Sequence, residues 1–244
     1  MKALILAAGY ATRLYPLTRE QPKHLLEVGG KPILERLLDQ LPLDELDTVY
    51  VVTNAKFAAR FREWAEPQPA RIEVIDDGTI SEEDKLGAIG DLELVIRSKE
   101  LDDDLVVAAG DSLFTERLDD FTRFSVERGG AAIAVYEVDE LEEMKRLSSV
   151  GVDEDFRVVS MEEKPERPTS KLAGIALYFY PRSVLPLVGE YLRDGNNPDQ
   201  PGRFVEWLYT RTPVYAWRVP GRWVDIGTPE TLAEADRAFG DDRG

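Results

Sequence analysis

Apolar runs at Ala3–Ala7, Thr48–Thr53, Arg71–Ile75, Leu105–Ala109 and Ala131–Val138 stand between segments whose apolar residues recur with a helical period. Continuous apolar runs of this length suit strands covered on both faces, and their alternation with helical stretches predicts a doubly wound, mostly parallel mixed sheet, a Rossmann-like α/β fold. Helices are predicted over Lys31–Leu41, Lys56–Ala65, Lys85–Ile96 and Leu118–Arg128. In the first of these Pro32 suits an opening turn, and Ile33, Leu34, Leu37, Leu38 and Leu41 fall on one stripe. Beyond about residue 139 the pattern loosens, with strands expected at Arg157–Met161, Ile175–Tyr180 and Val214–Val219 and helices at Arg182–Leu192 and Phe204–Tyr209. Gly195 to Gly202 is dense in turn formers and reads as a surface loop, and Gly240 to Gly244 as an unstructured tail. The 244 residues are expected to form one domain, with a regular core over about 1–138 and an inserted, less regular half over about 139–244.

Composition removes several classes of function. There is no cysteine, so neither a disulfide framework nor a thiolate metal site is available. No apolar run approaches the roughly 20 residues of a membrane span, and the N-terminus enters a strand without a cleavable leader pattern, so a soluble cytoplasmic protein is expected. A formal charge of −17 argues against nucleic acid or an anionic membrane as partner. The acidic clusters at Ser81–Asp84, Leu101–Asp104 and Asp139–Glu143 read as solvated faces and helix starts.

Against that charge, the first strand ends in Ala8-Gly9-Tyr10-Ala11-Thr12-Arg13, followed by Pro22-Lys23. The small residues let backbone N–H groups approach an anion, Arg13 can fork onto phosphate oxygens and Lys23 adds a point charge, which together would grip a polyphosphate. A Gly-x-x-Thr-Arg string by itself is more often a glycine turn with two solvated cations. Asp111 follows the strand Leu105–Ala109 and Gly110, and Asp225 lies in an apolar stretch between Trp223 and Gly227. Two carboxylates can hold Mg²⁺ while phosphate oxygens and water complete its octahedron, although each aspartate alone also suits a turn or cap. Thr228 reads as the cap of a helix opening at Pro229, with Glu230 in its first turn.

The string LAAG-x-x-TRL-x-PLT-x-x-x-PK, followed by Ala109-Gly110-Asp111, Glu163-Lys164-Pro165 and Trp223-Val224-Asp225-Ile226-Gly227-Thr228-Pro229, closely resembles the sugar-1-phosphate nucleotidyltransferases, most of all the glucose-1-phosphate thymidylyltransferase type. The resemblance spans nearly the whole chain. It implies a Rossmann-like nucleotide-binding core, Mg²⁺, and two small-molecule partners, a nucleoside triphosphate and a phosphorylated acceptor; a homo-oligomer is compatible with it. It places Leu6, Ala7, Ala8, Gly9, Thr12, Gly87 and Asp111 at the nucleotide, Arg13 and Lys23 in catalysis, Glu163, Lys164 and Gly174 at the acceptor, and Asp111 and Asp225 at the metal.

The reaction itself asks little of side-chain bases. A phosphate monoester is mostly dianionic at neutral pH, its second pKa being about 6, so its oxygen is already a nucleophile. The single histidine, His24, is therefore read as a structural neighbour of Lys23. Two departures from the family pattern leave base and acceptor open. Leu172-Ala173-Gly174 stands where hexose-phosphate enzymes commonly carry Asn-Ala-Gly, and Glu83 to Asp91 where a Gly-Leu-Ala-Gln type contact is usual. A cytidylyltransferase for a small phospho-alcohol such as phosphocholine is thus an alternative, as is a non-catalytic regulatory subunit, although the latter has no chemical reason to keep Arg13, Lys23, Asp111, Lys164 and Asp225 together. Dehydrogenase and P-loop kinase readings lack their glycine signatures.

Overall fold

A computed structural model of the chain describes residues 1–240. Its elements are β1 (Lys2–Leu6), β2 (Glu27–Val28), β3 (Lys31–Pro32), α1 (Ile33–Gln40), β4 (Thr48–Thr53), α2 (Ala58–Ala65), β5 (Ile72–Asp76), α3 (Ala88–Ser98), β6 (Leu105–Ala109) and β7 (Ser112–Phe114). They continue with α4 (Asp119–Arg128), β8 (Ala131–Glu137), β9 (Ser148–Val152), β10 (Val158–Glu163), β11 (Leu172–Tyr180), α5 (Leu185–Arg193), α6 (Pro201–Leu208), β12 (Val214–Arg218), β13 (Trp223–Asp225) and α7 (Pro229–Gly240). The fold is the expected mixed α/β type, with a central nine-stranded sheet ordered β10-β9-β11-β6-β1-β4-β5, in which β8 joins β11 and β12 joins β8. Among the described residues no helix is long and apolar enough to cross a membrane. Of the expected unstructured tail, Gly240 instead ends α7, and 241–244 lie outside the described residues.

Boundaries shift from the sequence pattern by about one to three residues, and at two of them a proline is the reason. Pro32 has extended backbone (φ −52°, ψ 140°) and pairs in the short β3, so α1 opens at Ile33. The turn-rich stretch after Gly195 ends two residues early, because Pro201, lacking an amide hydrogen that a first turn would leave unpaired anyway, opens α6. The strands β2, β3, β7, β9 and β13 were not signalled: most are two or three residues long, and β9 reads Ser-Ser-Val-Gly-Val, without an apolar run.

Contacts divide the chain into two compact units. One comprises Met1–Lys2, Leu86–Val107 and Asp119–Val219; the other comprises Ala3–Lys85, Ala108–Leu118 and the chain from Pro220 onward. In the first unit β11 pairs antiparallel with β8 and β9, β9 pairs antiparallel with β10, and β12 adds parallel to β8. Behind β11, Tyr180, Tyr191 and Phe204 are fully buried in edge-to-face contacts, with Trp207 against the last two. In the second unit β4 and β5 run parallel in register, and Ala3, Leu4 and Ile5 of β1 are fully buried. β7 and β13 pair antiparallel, and α7 closes over them through a core of Val28, Ile33, Leu113, Ile226, Ala235 and Phe239. Full burial of Ile226 alone is worth about 2 kcal/mol and fixes the segment that carries Asp225.

Candidate functional site

In the second unit the sheet ends where its chemistry begins. Ala7 still donates its amide to Val52 O (2.9 Å), and Leu6 O accepts from Gly110 (3.0 Å), so both sides of β1 are tied to its neighbours. The amides of Ala8, Gly9, Tyr10 and Ala11, in contrast, donate to no protein acceptor among the described residues. A β-carbon on Gly9 would meet nothing within 4 Å, so the turn opens onto free space. Its shape is held from outside. Buried Asn54 donates from Nδ2 to Ala8 O (2.8 Å), Tyr10 and Thr79 share a hydrogen bond between hydroxyls (3.2 Å), and Thr18 Oγ1 donates to the carbonyl of Ala11, itself left-handed at φ 49°. The single-turn helix Thr12–Leu14 then presents Arg13 on the surface while Leu14 anchors it in the core.

Lys23 and Asp111 meet beside this turn at 2.5 Å, their side chains only 11% and 22% exposed. Pairing of β7 with β13 sets Asp225 opposite Ser112, and Ile226 donates its amide to Asp111 O (3.1 Å), which makes Asp111 and Asp225 neighbours. A β-carbon on Gly227 would stand 3.2 Å from Asp225 Oδ2 and 3.7 Å from Arg13 Nη2, so a side chain there would intrude on both charges. Removal from bulk water and repulsion from Asp111 push the Asp225 carboxyl up to about 6, although Lys23 and Arg13 act the other way. Burial pushes Asp111 up too, but the ion pair and hydrogen bond from Lys23 outweigh it and hold that carboxyl below its ordinary value. His24 packs its ring against Gly110, where a β-carbon would come within 2.8 Å of Cδ2; burial and adjacent Lys23 bring the imidazole down to about 3. It is neutral at physiological pH and serves as a floor under Gly110-Asp111. Among the described residues no three carboxylates or imidazoles converge.

The first unit carries a second polar cluster. At the end of β10, Glu163 pairs with Ser148 across the β9–β10 ladder, and its Oε2 accepts a hydrogen bond from Ser148 Oγ. Lys164 follows with left-handed backbone (φ 52°), its amide donating to Leu147 O (2.9 Å) and its side chain exposed. Gly174 lies opposite Ser148 on the other side of β9 and is buried against Ile133 and Val150. Gly87 also belongs to this unit. It caps α3 at φ 80°, and a β-carbon there would reach within 2.7 Å of Pro198 O.

The structure therefore brings Leu6, Ala7, Ala8, Gly9, Thr12, Arg13, Lys23, Asp111 and Asp225 together in the second unit, and Glu163, Lys164 and Gly174 together in the first. Gly174 meets the polar cluster at Ser148, and Gly87 sits against the Pro198 loop. Sequence reasoning missed Asn54 and Ser148. For Asn54 the signal was a polar residue directly after a buried strand; for Ser148 no local pattern existed.

Residues 2–241 match the sequence profile of the nucleotidyl transferase family. The chain is 26% identical over 238 residues to the bifunctional protein GlmU of Methanocaldococcus jannaschii, covering 97% of this chain and 54% of that protein. It is 30% identical over 249 residues to the glucose-1-phosphate thymidylyltransferase of Neisseria meningitidis, covering 96% of this chain and 81% of that one. It thus spans about half the length of the former and most of the latter. Its fold superposes on a UDP-glucose pyrophosphorylase solved with UDP-glucose at a TM-score of 0.84, over 99% of each chain and at 19% identity.

Proposed function

Because the chain belongs to the nucleotidyl transferase family, we propose that it transfers a nucleoside monophosphate from a nucleoside triphosphate to a sugar 1-phosphate, releasing pyrophosphate. The observation that carries this reading is the grouping of Arg13, Lys23, Asp111 and Asp225 around a turn whose amides are unpaired among the described residues. In a chain of charge −17 it gathers two cations and two hard oxygen ligands in one place.

An oxygen of the acceptor phosphate attacks the α-phosphorus in line with the departing pyrophosphate. The nucleophile is already ionised, so the protein's task is to hold two anions together. The free amides from Ala8 to Ala11 suit the triphosphate oxygens, Lys23 the α-phosphate, and Arg13 the charge that builds toward pyrophosphate. The burial and the repulsion from Asp111 that raise Asp225 fit a cation between two hard oxygen donors. Asp111 and Asp225 would hold Mg²⁺, which when bound supplies charge neutralisation at the phosphates. Lys164 suits the acceptor phosphate and Glu163 an acceptor hydroxyl. A hydroxylated acceptor is favoured over a quaternary amine because Tyr178, within electrostatic reach of Glu163, and Tyr180 are at most 2% exposed and stacked on each other, so neither offers an open ring face.

The test is pyrophosphate release from each nucleoside triphosphate paired with glucose, galactose, mannose and N-acetylglucosamine 1-phosphates and with phosphocholine. Release is expected only with both substrates present, with a sugar 1-phosphate, and not in EDTA. Release that persists in EDTA removes the metal assignment, and release with phosphocholine alone replaces the acceptor.

A further inference from the structure

We propose that Ser148 is a specificity-determining positioning residue, which fixes Glu163 by one carboxylate oxygen so that only the other is offered to an acceptor hydroxyl. The inference rests on the reading of Glu163 as the acceptor's hydroxyl partner. A glutamate at a strand end ordinarily samples several rotamers, and either oxygen can accept a hydrogen bond. Here that freedom is removed. Ser148 is 5% exposed and lies in the middle of the first unit's sheet, opposite Glu163 on one side and Gly174 on the other. Its hydroxyl has one hydrogen, and that hydrogen goes to Glu163 Oε2.

Two glycines enclose the pair. A β-carbon on Gly202, in the first turn of α6, would fall 2.1 Å from Glu163 Oε2 and 2.6 Å from Ser148 Oγ, and one on Gly174 would fall 3.3 Å from Ser148 Cβ. Both side chains are therefore packed against backbone from α6, and the serine also against β11. The backbone amide of Glu163 is itself tied to Glu206 of α6. Tyr178 of β11 is buried within electrostatic reach of Glu163. With Oε2 occupied, Oε1 is the oxygen left for a ligand, at a position set by the fold. A carboxylate held at one point distinguishes sugar 1-phosphates that differ in the placement of a single hydroxyl, whereas a free carboxylate swings to whichever hydroxyl is near.

The experiment measures kcat and KM for the four sugar 1-phosphates, and KM for the nucleoside triphosphate, in the wild type, S148A, E163Q and the double variant. S148A is expected to raise acceptor KM about tenfold, as for loss of one hydrogen bond to a charged group. It should leave kcat and the nucleotide KM within threefold and shrink the preference for the best sugar over the next. Since Ser148 acts only through Glu163, the double variant should be no worse than E163Q. An S148A enzyme with unchanged acceptor KM and preference overturns the inference while an E163Q defect keeps the Glu163 reading. An unchanged E163Q enzyme overturns both, as does a wild type that accepts none of the four sugars. Fully additive losses also overturn it, by assigning Ser148 a role of its own. Thermal melts accompany each variant, and S148C, close in volume but a weak donor, carries the same test if S148A melts below the assay temperature.

Discussion

At the scale of single residues, Asp225 links the site to pH. Its carboxyl lies at about 6 in the folded chain, so between roughly pH 4 and 6 the folded protein keeps a proton that the unfolded chain has released. Stability from this group is complete below its unfolded value and is lost as pH rises through 6. The residue keeps contact with solvent, so the swing is screened to about 1 kcal/mol. In EDTA, D225N should flatten the decline of melting temperature between pH 4 and 7, while Mg²⁺ should stabilise the wild type increasingly over the same range because it needs the ionised form. A D225N profile parallel to the wild type would detach the residue from that titration. For Lys23 and Arg13 the expectation is kinetic: K23A and R13A should each lose turnover about a hundredfold, the scale of one preorganised charge, with folding retained by circular dichroism. Near-normal turnover in either would remove that cation from the phosphate cradle.

Elements were readable from the chain to the extent that each carried its own period. The runs from Ala3, Thr48, Leu105 and Ala131 became β1, β4, β6 and β8 because fully buried strands need uninterrupted apolar residues. Thr228 was legible as a cap because its evidence is local: its Oγ1 accepts from Thr231 N at 3.3 Å. T228A should cost about 1 kcal/mol in urea denaturation and leave turnover within twofold; no loss would show α7 to be held by its apolar face alone. By contrast β9, β7 and β13 are strands only because partners lie beside them, and nothing in Ser148-Ser149 or Ser112-Leu113 announces such a partner. The same distinction separates the two polar clusters. Arg13 and Lys23 were visible in a contiguous string, while the placement of Ser148 against Glu163 and Gly202 depends on residues 15 and 54 positions away in the chain, and sequence offers no view of that juxtaposition.

For the whole molecule, the charge of −17 sets two opposing salt effects. Added salt screens self-repulsion and should raise the melting temperature of the metal-free protein, whereas it should weaken nucleotide binding by screening the cations of the cradle. Melts and nucleotide titrations in sodium chloride from about 20 mM, where screening is slight, to about 500 mM, where it is nearly complete, measure both. A melting temperature that falls with salt would show that surface ion pairs outweigh the excess negative charge. Chain connectivity adds a constraint of a different kind. Each unit is stitched from separated lengths of chain, and the one that holds Asp111 is completed only by the segment from Pro220 onward. No single cut can release either unit whole, so a protease nick should leave fragments that depend on each other. During synthesis Lys23 and Asp111 emerge well before Asp225, and a ribosome that stalled before residue 220 would hold a chain in which Asp111 still lacked that neighbour. The Asp111–Asp225 neighbourhood thus waits until β13 has left the ribosome, so the order of translation sets the order in which the two carboxylates can meet.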